Sequence, residues 1–236
     1  MKRALASLVL CAVVSCALAA DEPEGPIDVT LTWRASVAAD GQLTALTPSD
    51  DASPELYERF EADVRKWHYT PGKVNGVPTA TDTTLTVHVR LMPVAGGFRP
   101  EVLDAVSGVG YGKMTTPKYP KGAAMSRRGG GVLLRVTFDG DGKVRNAETI
   151  DGGFPKPGSD IEQAAVAAMK RWTFRPESIG GRGYGGVAIV PLCFSVKPGP
   201  ETPCRFIDPV SNQAIRDGGL FAVDPLVHLE RPKPAG

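Results

Sequence analysis

The residues of this 236-residue chain that could do chemistry are three histidines, four cysteines and two short glycine-rich runs. His68, His88 and His228 are scattered, and none has a second ligand at a metal-site spacing. His68 directly follows Trp67 at an expected helix end, where contact with the terminal carbonyls accounts for an imidazole. The run "DGDGK" at 139–143 opens like a calcium loop. However, lysine occupies the next ligand position and no distal glutamate completes it. Gly181, Gly183 and Gly186 satisfy G-x-G-x-x-G, but they follow a helical pattern and precede a strand pattern, the reverse of a dinucleotide site. No G-x-S-x-G or comparable nucleophile motif occurs. The residue inventory therefore points to no enzyme, no cofactor and no metal, and binding is the function class that remains.

The cysteines divide by compartment. Lys2 and Arg3 precede an apolar run from Ala4 to Ala20 that ends in small residues before Asp21. That is the pattern of a cleavable signal peptide over residues 1–20, with an uncleaved anchor as another reading. Val13-Val14-Ser15-Cys16 also resembles a lipobox, which would place a lipid on Cys16. Each reading exports the rest of the chain. Cys193 and Cys204 then stand in an oxidising compartment, where a disulfide is expected and two buried free thiols are the alternative. Taking Lys2 and Arg3 from the 27 basic residues leaves 25 against 26 acidic ones. A near-neutral exported chain has no bulk attraction to nucleic acid, although "GGRGYGG" has the composition of an RNA-binding segment.

The elements that would position any site repeat. "SDIEQAAVAAMKRW" predicts a helix with Ser159 and Glu162 as a capping box and Ile161, Ala164, Ala165, Ala168, Met169 and Trp172 on one face. "SPELYERFEADVRKW" predicts another, with Ser53 as N-cap, Pro54 at the first position and Leu56, Phe60, Val64 and Trp67 inward. Leu56, Phe60, Val64 and Trp67 lie 105 positions before Ile161, Ala165, Met169 and Trp172. The strand Leu85, Val87, Val89, Leu91, alternating with Thr86, His88 and Arg90 toward water, lies 105 positions before Val190, Leu192, Phe194, Val196. Pro191, Cys193 and Ser195 fall on the outward parity, and Pro191 requires an edge or a bulge. Hairpin turns at Asp40-Gly41 and Asp141-Gly142 precede the helices at an offset of 101.

The expected fold class is α+β. It comprises two small modules, each an antiparallel sheet of about three strands (ββαβ) with one helix packed on one face. Residues 28–92 and 115–197 are the modules, 93–114 a glycine-rich linker, and 198–236 a proline-rich C-terminal extension in which "GGLFAVDPLVHLE" could add a strand. Trp67 and Trp172 are expected as core residues closing their helices, and Pro176 stops the second helix from resuming.

The second module is similar to the C-terminal domain of TonB, the periplasmic energy transducer of Gram-negative bacteria. Tyr119, Pro120, Ala123, Gly131, Asp141-Gly142, Ala164-Ala165, Trp172, Phe174 and Pro176 carry the resemblance. The first module matches only from its hairpin turn onward, as a degenerate copy. The resemblance implies strand addition. Thr116, Pro117, Lys118 and Tyr119 and an exposed edge within 187–196 (Val187, Ile189, Cys193, Ser195) would engage an extended segment of an envelope protein, such as an outer-membrane transporter. Thr116 stands where the transducer has a side-chain amide. The inner-membrane helix and long periplasmic span of a transducer are not expected here. The alternative is a structural envelope protein, a lipoprotein in the Cys16 reading, that uses the fold as a scaffold, and the sheet edges also offer a route to a homodimer.

Overall fold

The structure is a computed structural model, and it describes residues 25–50, 54–196, 204–209, 214–215 and 219–230. The expected leader, Cys16 and Ser53 lie outside the described residues. Among the described residues, no helix is long and apolar enough to cross a membrane.

The first sheet is built on strand β1, Ile27–Val37, whose Leu31, Trp33, Ala35 and Val37 are all buried. Such period-two burial puts one face of the strand on a core. The chain turns through Gly41, at φ 85, into β2, Leu43–Pro48. Helix α1, Pro54–Val64, starts on the proline and lays Tyr57, Phe60 and Val64 across the sheet. Tyr57 meets Trp33 edge-on with centroids 4.9 Å apart, a favourable aromatic geometry. Strand β3, Thr81–Val94, then pairs antiparallel with β1.

The second sheet runs through the same order: β5, Gly130–Phe138; β6, Val144–Ile150; α3, Ser159–Met169; and β7, Gly186–Phe194. Here Ile161, Ala165, Ala168, Met169 and Trp172 are buried. The register in the two sheets follows the offsets seen in the sequence. Ala35 faces Leu46 as Val136 faces Ala147, and Trp33 faces Leu85 as Leu134 faces Val190. Both hairpins carry a register shift near the turn, at Ser36/Val37 and at Val144/Asn146. A Cβ on Gly41 would meet the Tyr69 carbonyl at 2.2 Å, and one on Gly142 would meet the Phe174 carbonyl at 2.0 Å. Each turn is pressed against the chain emerging from its own helix, so each needs glycine for space as well as for its positive φ.

Residues 93–114 are not a linker. Strand β4, Gly97–Gly108, pairs with β3 from Thr84 to Val94, which gives the first sheet a fourth long strand. The glycines that suggested flexibility form its hairpin turn: Gly96 is at φ 82, and Val94 pairs directly with Gly97. The capping box also differs. Gly158 is the N-cap of α3, Ser159 is already helical, and the N-cap residue makes no side-chain bond to the first turn. Asp160 accepts instead from the Ile161 amide at 3.0 Å and from Arg128.

The outward face of the second sheet is not solvated. Cys204, Phe206, Ile215 and Phe221 from the C-terminal segment pack on Leu133 and Ile189 there. Strand β8, Phe221–Ala222, adds to the sheet, giving the order β6–β5–β7–β8. The two halves are also tied to each other. Ser178–Ile179 pairs with Thr81–Asp82 of β3, and His228–Glu230 pairs with His68–Thr70. The first sheet therefore contains strand pairing from both halves of the chain.

Candidate functional site

The stretch from Thr115 to Tyr119 runs without regular secondary structure between two anchors. At one end the Trp172 indole N–H donates to the Thr115 carbonyl at 2.7 Å, and the indole meets Tyr111 edge-on at 5.9 Å. At the other end Tyr119 packs edge-on against Phe194 at 5.6 Å, and its hydroxyl donates to the Arg128 carbonyl at 2.7 Å. Burial pushes the Tyr119 phenol above its ordinary pKa. Arg128 forks onto Asp160 with bonds of 3.0 and 2.8 Å, which holds the Asp160 carboxyl below the usual carboxylate range. The short helix α2, Lys121–Met125, follows, with Ala123 buried beneath it. Between the anchors Thr116 and Lys118 are exposed and Pro117 is half-buried. A fixed backbone with free side chains suits recognition, because little ordering is left to do on binding.

The residues expected along β7 do not form one open edge. Cys193 and Ser195 lie beside Phe194, at the Tyr119 end. Cys193 is bonded to Cys204 with Cα atoms 5.8 Å apart. Val187 and Ile189 lie five to seven residues back along the strand from Phe194, about 15–25 Å at strand rise. They are covered: Ala188 faces Ala222, Ile189 faces Phe221, and the Val223 amide donates to the Val187 carbonyl at 2.9 Å. The edge expected to be exposed over 187–196 is therefore occupied at 187–189. The physical reason is the usual one for sheet edges, which are satisfied by whatever extended chain lies near. Here the disulfide brings that chain back to the sheet. The paired stretch of β8 stops two residues short of Pro191, which has no amide to offer a partner. Past that point, Arg127, Gly129, Pro155, Phe194, Ser195 and Val196 line an open depression of about 580 Å³. Val196, expected on the inward face, is 40 % exposed because the strand ends at Phe194.

The structural tryptophans are both in cores, Trp67 under α1 and Trp172 under α3, and Pro176 is half-buried just ahead of Glu177. Asp139 of "DGDGK" is consumed by its own turn. It accepts from the Asp141 and Lys143 amides and pairs with Arg145, so its carboxyl is held below the ordinary range.

Two features were not foreseen. His88, placed on the outward parity, is 6 % exposed and bonds Asp104 through Nδ1 at 2.6 Å, because β4 and the C-terminal segment cover that face. A cavity of about 440 Å³ lies beside it, lined by Ser107, Leu220, Pro225 and His228 among others. Glu177, also 6 % exposed, accepts from the Thr83 hydroxyl at 2.7 Å and from the Leu226 and Val227 amides. Desolvation pushes its carboxyl above the ordinary range against the pull of those three bonds. Nothing local in the sequence signals this cluster, since Thr83 and Glu177 are 94 residues apart.

Residues 115–196 match the family model described as Gram-negative bacterial TonB protein C-terminal. Two curated relatives, each named Protein TonB, come from Xanthomonas campestris pv. campestris, strain B100 and strain ATCC 33913. Each is 30% identical over 83 residues, which is 35% of this chain and 36% of the relative. The chain thus spans about a third of the length of the curated relatives it matches. The family match takes in Thr115 to Tyr119, α3 and β5 to β7, and ends before the C-terminal segment that covers β7.

Proposed function

We propose that this chain is a periplasmic, non-catalytic TonB-like binding protein whose second half recognises an extended segment of an envelope protein by β-strand addition. In this reading it acts as an accessory to TonB-dependent transport at the outer membrane. Residues 28–92 are a degenerate copy of the same unit, kept for packing. The observation that carries the reading is the anchored stretch Thr115–Tyr119, lying beside the Phe194 end of β7 within the part of the chain that matches the TonB C-terminal family. Backbone groups near the strand end supply the pairing, and Thr116, Lys118 and Ser195 supply selectivity.

The test is titration of the mature protein with synthetic peptides from the extended N-terminal segments of outer-membrane transporters, followed by amide NMR. Shifts or broadening at Thr116–Tyr119 and Phe194–Val196 are expected at peptide concentrations up to about millimolar, an affinity near −4 kcal/mol. No perturbation there at that concentration removes the transporter reading. A structural envelope protein is the second reading, favoured by the cover that β8 and Cys204 lay over the second sheet. Lipid-precursor labelling that is lost in Cys16→Ser would support a lipid-anchored form of it.

A further inference from the structure

The segment that covers β7 sits where an incoming strand would sit. The Val187–Val223 pair is hydrogen-bonded, Ala188 faces Ala222, and Ile189 faces Phe221 in antiparallel register. Side chains on the two sides of this segment go to different places. Leu220 and Ala222 join the core under α3, while Phe221 packs with Ile189, Cys204 and Phe206 on the opposite face. The strand is only two residues long, against nine in β7, and Val223 at its end is 48 % exposed. Both flanks are held independently. Upstream, Cys204 is bonded to Cys193; downstream, the Leu226 and Val227 amides are held by Glu177. A short strand between two fixed points can leave the edge without the segment being lost, and it stays at high effective concentration for return.

We infer that β8 is a resident, displaceable occupant of a peptide-acceptor edge on β7, and that its own sequence states the chemistry of the ligand. That ligand is an uncharged extended segment, antiparallel to β7. It presents small or aliphatic residues to the α3 core at alternate positions, and a large apolar residue between them to the other face. This inference rests on the reading of β7 as a binding edge. It adds that the edge is closed in the free protein and that a partner must exchange with residues 220–223. A longer partner can win because it can extend past Ile189, where β8 stops, with Pro191 there offering its carbonyl alone to the added strand.

The probe is a fluorescent peptide of residues 219–225, GLFAVDP. Val223→Pro removes the amide that bonds Val187 and leaves an exposed position, so it opens the edge. Ala188→Cys/Ala222→Cys links a directly opposed, non-hydrogen-bonded pair and locks it. Because only the open fraction binds, the peptide is expected to bind Val223→Pro about tenfold or more tighter than wild type, and the locked protein not at all. Hydrogen exchange at Ile189 should speed up in the open variant and slow in the locked one. Should Val223→Pro fail to fold by circular dichroism, weak binding to wild type that the lock abolishes supports the inference by itself. Equal binding to wild type and locked protein, or binding to none of the three, overturns it. The two readings fail separately. Binding of the tail peptide without any transporter peptide keeps the acceptor edge and removes the transporter. Transporter peptides that perturb Thr116–Tyr119 equally in wild type and locked protein keep the transporter and remove the exchange.

Discussion

Glu177→Ala is expected to release the C-terminal segment from the first sheet while leaving both cores folded. The carboxylate is nearly buried and is the shared acceptor for the Thr83 hydroxyl and for the Leu226 and Val227 amides. Those donors come from β3 and from the segment that delivers the buried Val227 into the first core, where Ser107 donates to the Val227 carbonyl. Removing the acceptor leaves the buried Val227 and half-buried Leu226 amides without it at about 1–3 kcal/mol each, while the Thr83 hydroxyl can turn to the Gly108 carbonyl at 3.3 Å, for a total of about 2–5 kcal/mol. The loss should show first as faster hydrogen exchange at Tyr69 and Leu229, which face each other in the strand pair joining the segment to the first half.

Glu177→Gln separates charge from hydrogen bonding. Desolvation raises the folded pKa of Glu177 above its unfolded value, near 4.3. Its contribution is therefore fully present below about pH 4 and declines as pH rises through the folded pKa. Glutamine does not ionise, so the stability difference between variant and wild type should move in favour of the variant from pH 4.5 to 7.5. Urea melts of both proteins at several pH values measure this directly. A difference that stays flat with pH, or moves against glutamine, would refute the burial argument, and an Ala variant costing under about 1 kcal/mol would refute the shared-acceptor argument.

Three further outcomes follow from the same geometry. Trp172→Phe deletes the indole donor to Thr115 and part of a buried ring, so it should cost about 1–3 kcal/mol by denaturant melt and loosen the amides of 115–119. Replacing Cys193 and Cys204 by serine opens a loop of 11 residues in sequence separation, a loss of about 3 kcal/mol on chain-entropy grounds, with exchange at Ile189 accelerated most. Gly41→Ala and Gly142→Ala each force a Cβ onto a carbonyl about 2 Å away at positive φ, so each should destabilise by about 2 kcal/mol or more by thermal or urea melt, and by similar amounts.

What could be read in advance was whatever local chemistry decides. The helix faces ending in Trp67 and Trp172 follow from residue types at 3.6-residue spacing, and the hairpins follow from Asp-Gly turns. The misread segment, 93–114, shows the limit. Gly96-Gly97 serves equally well as a flexible joint or a two-residue hairpin turn, and only the vacant edge of β3 selects the turn. His88 and Cys193 were assigned to solvent by parity alone, but parity gives the side of a sheet and not what later covers it. Glu177 is the extreme case, since its environment is assembled from three distant segments. The same asymmetry bears on function. The family match ends at Val196, yet the residues that close the β7 edge lie after it. A reading confined to the matched region sees an open strand edge, and the whole chain shows that edge already bearing a peptide. In the proposed exchange, access to the β7 edge is therefore set by the C-terminal segment, through Val223 and its two fixed flanks, and not by the residues that carry the resemblance.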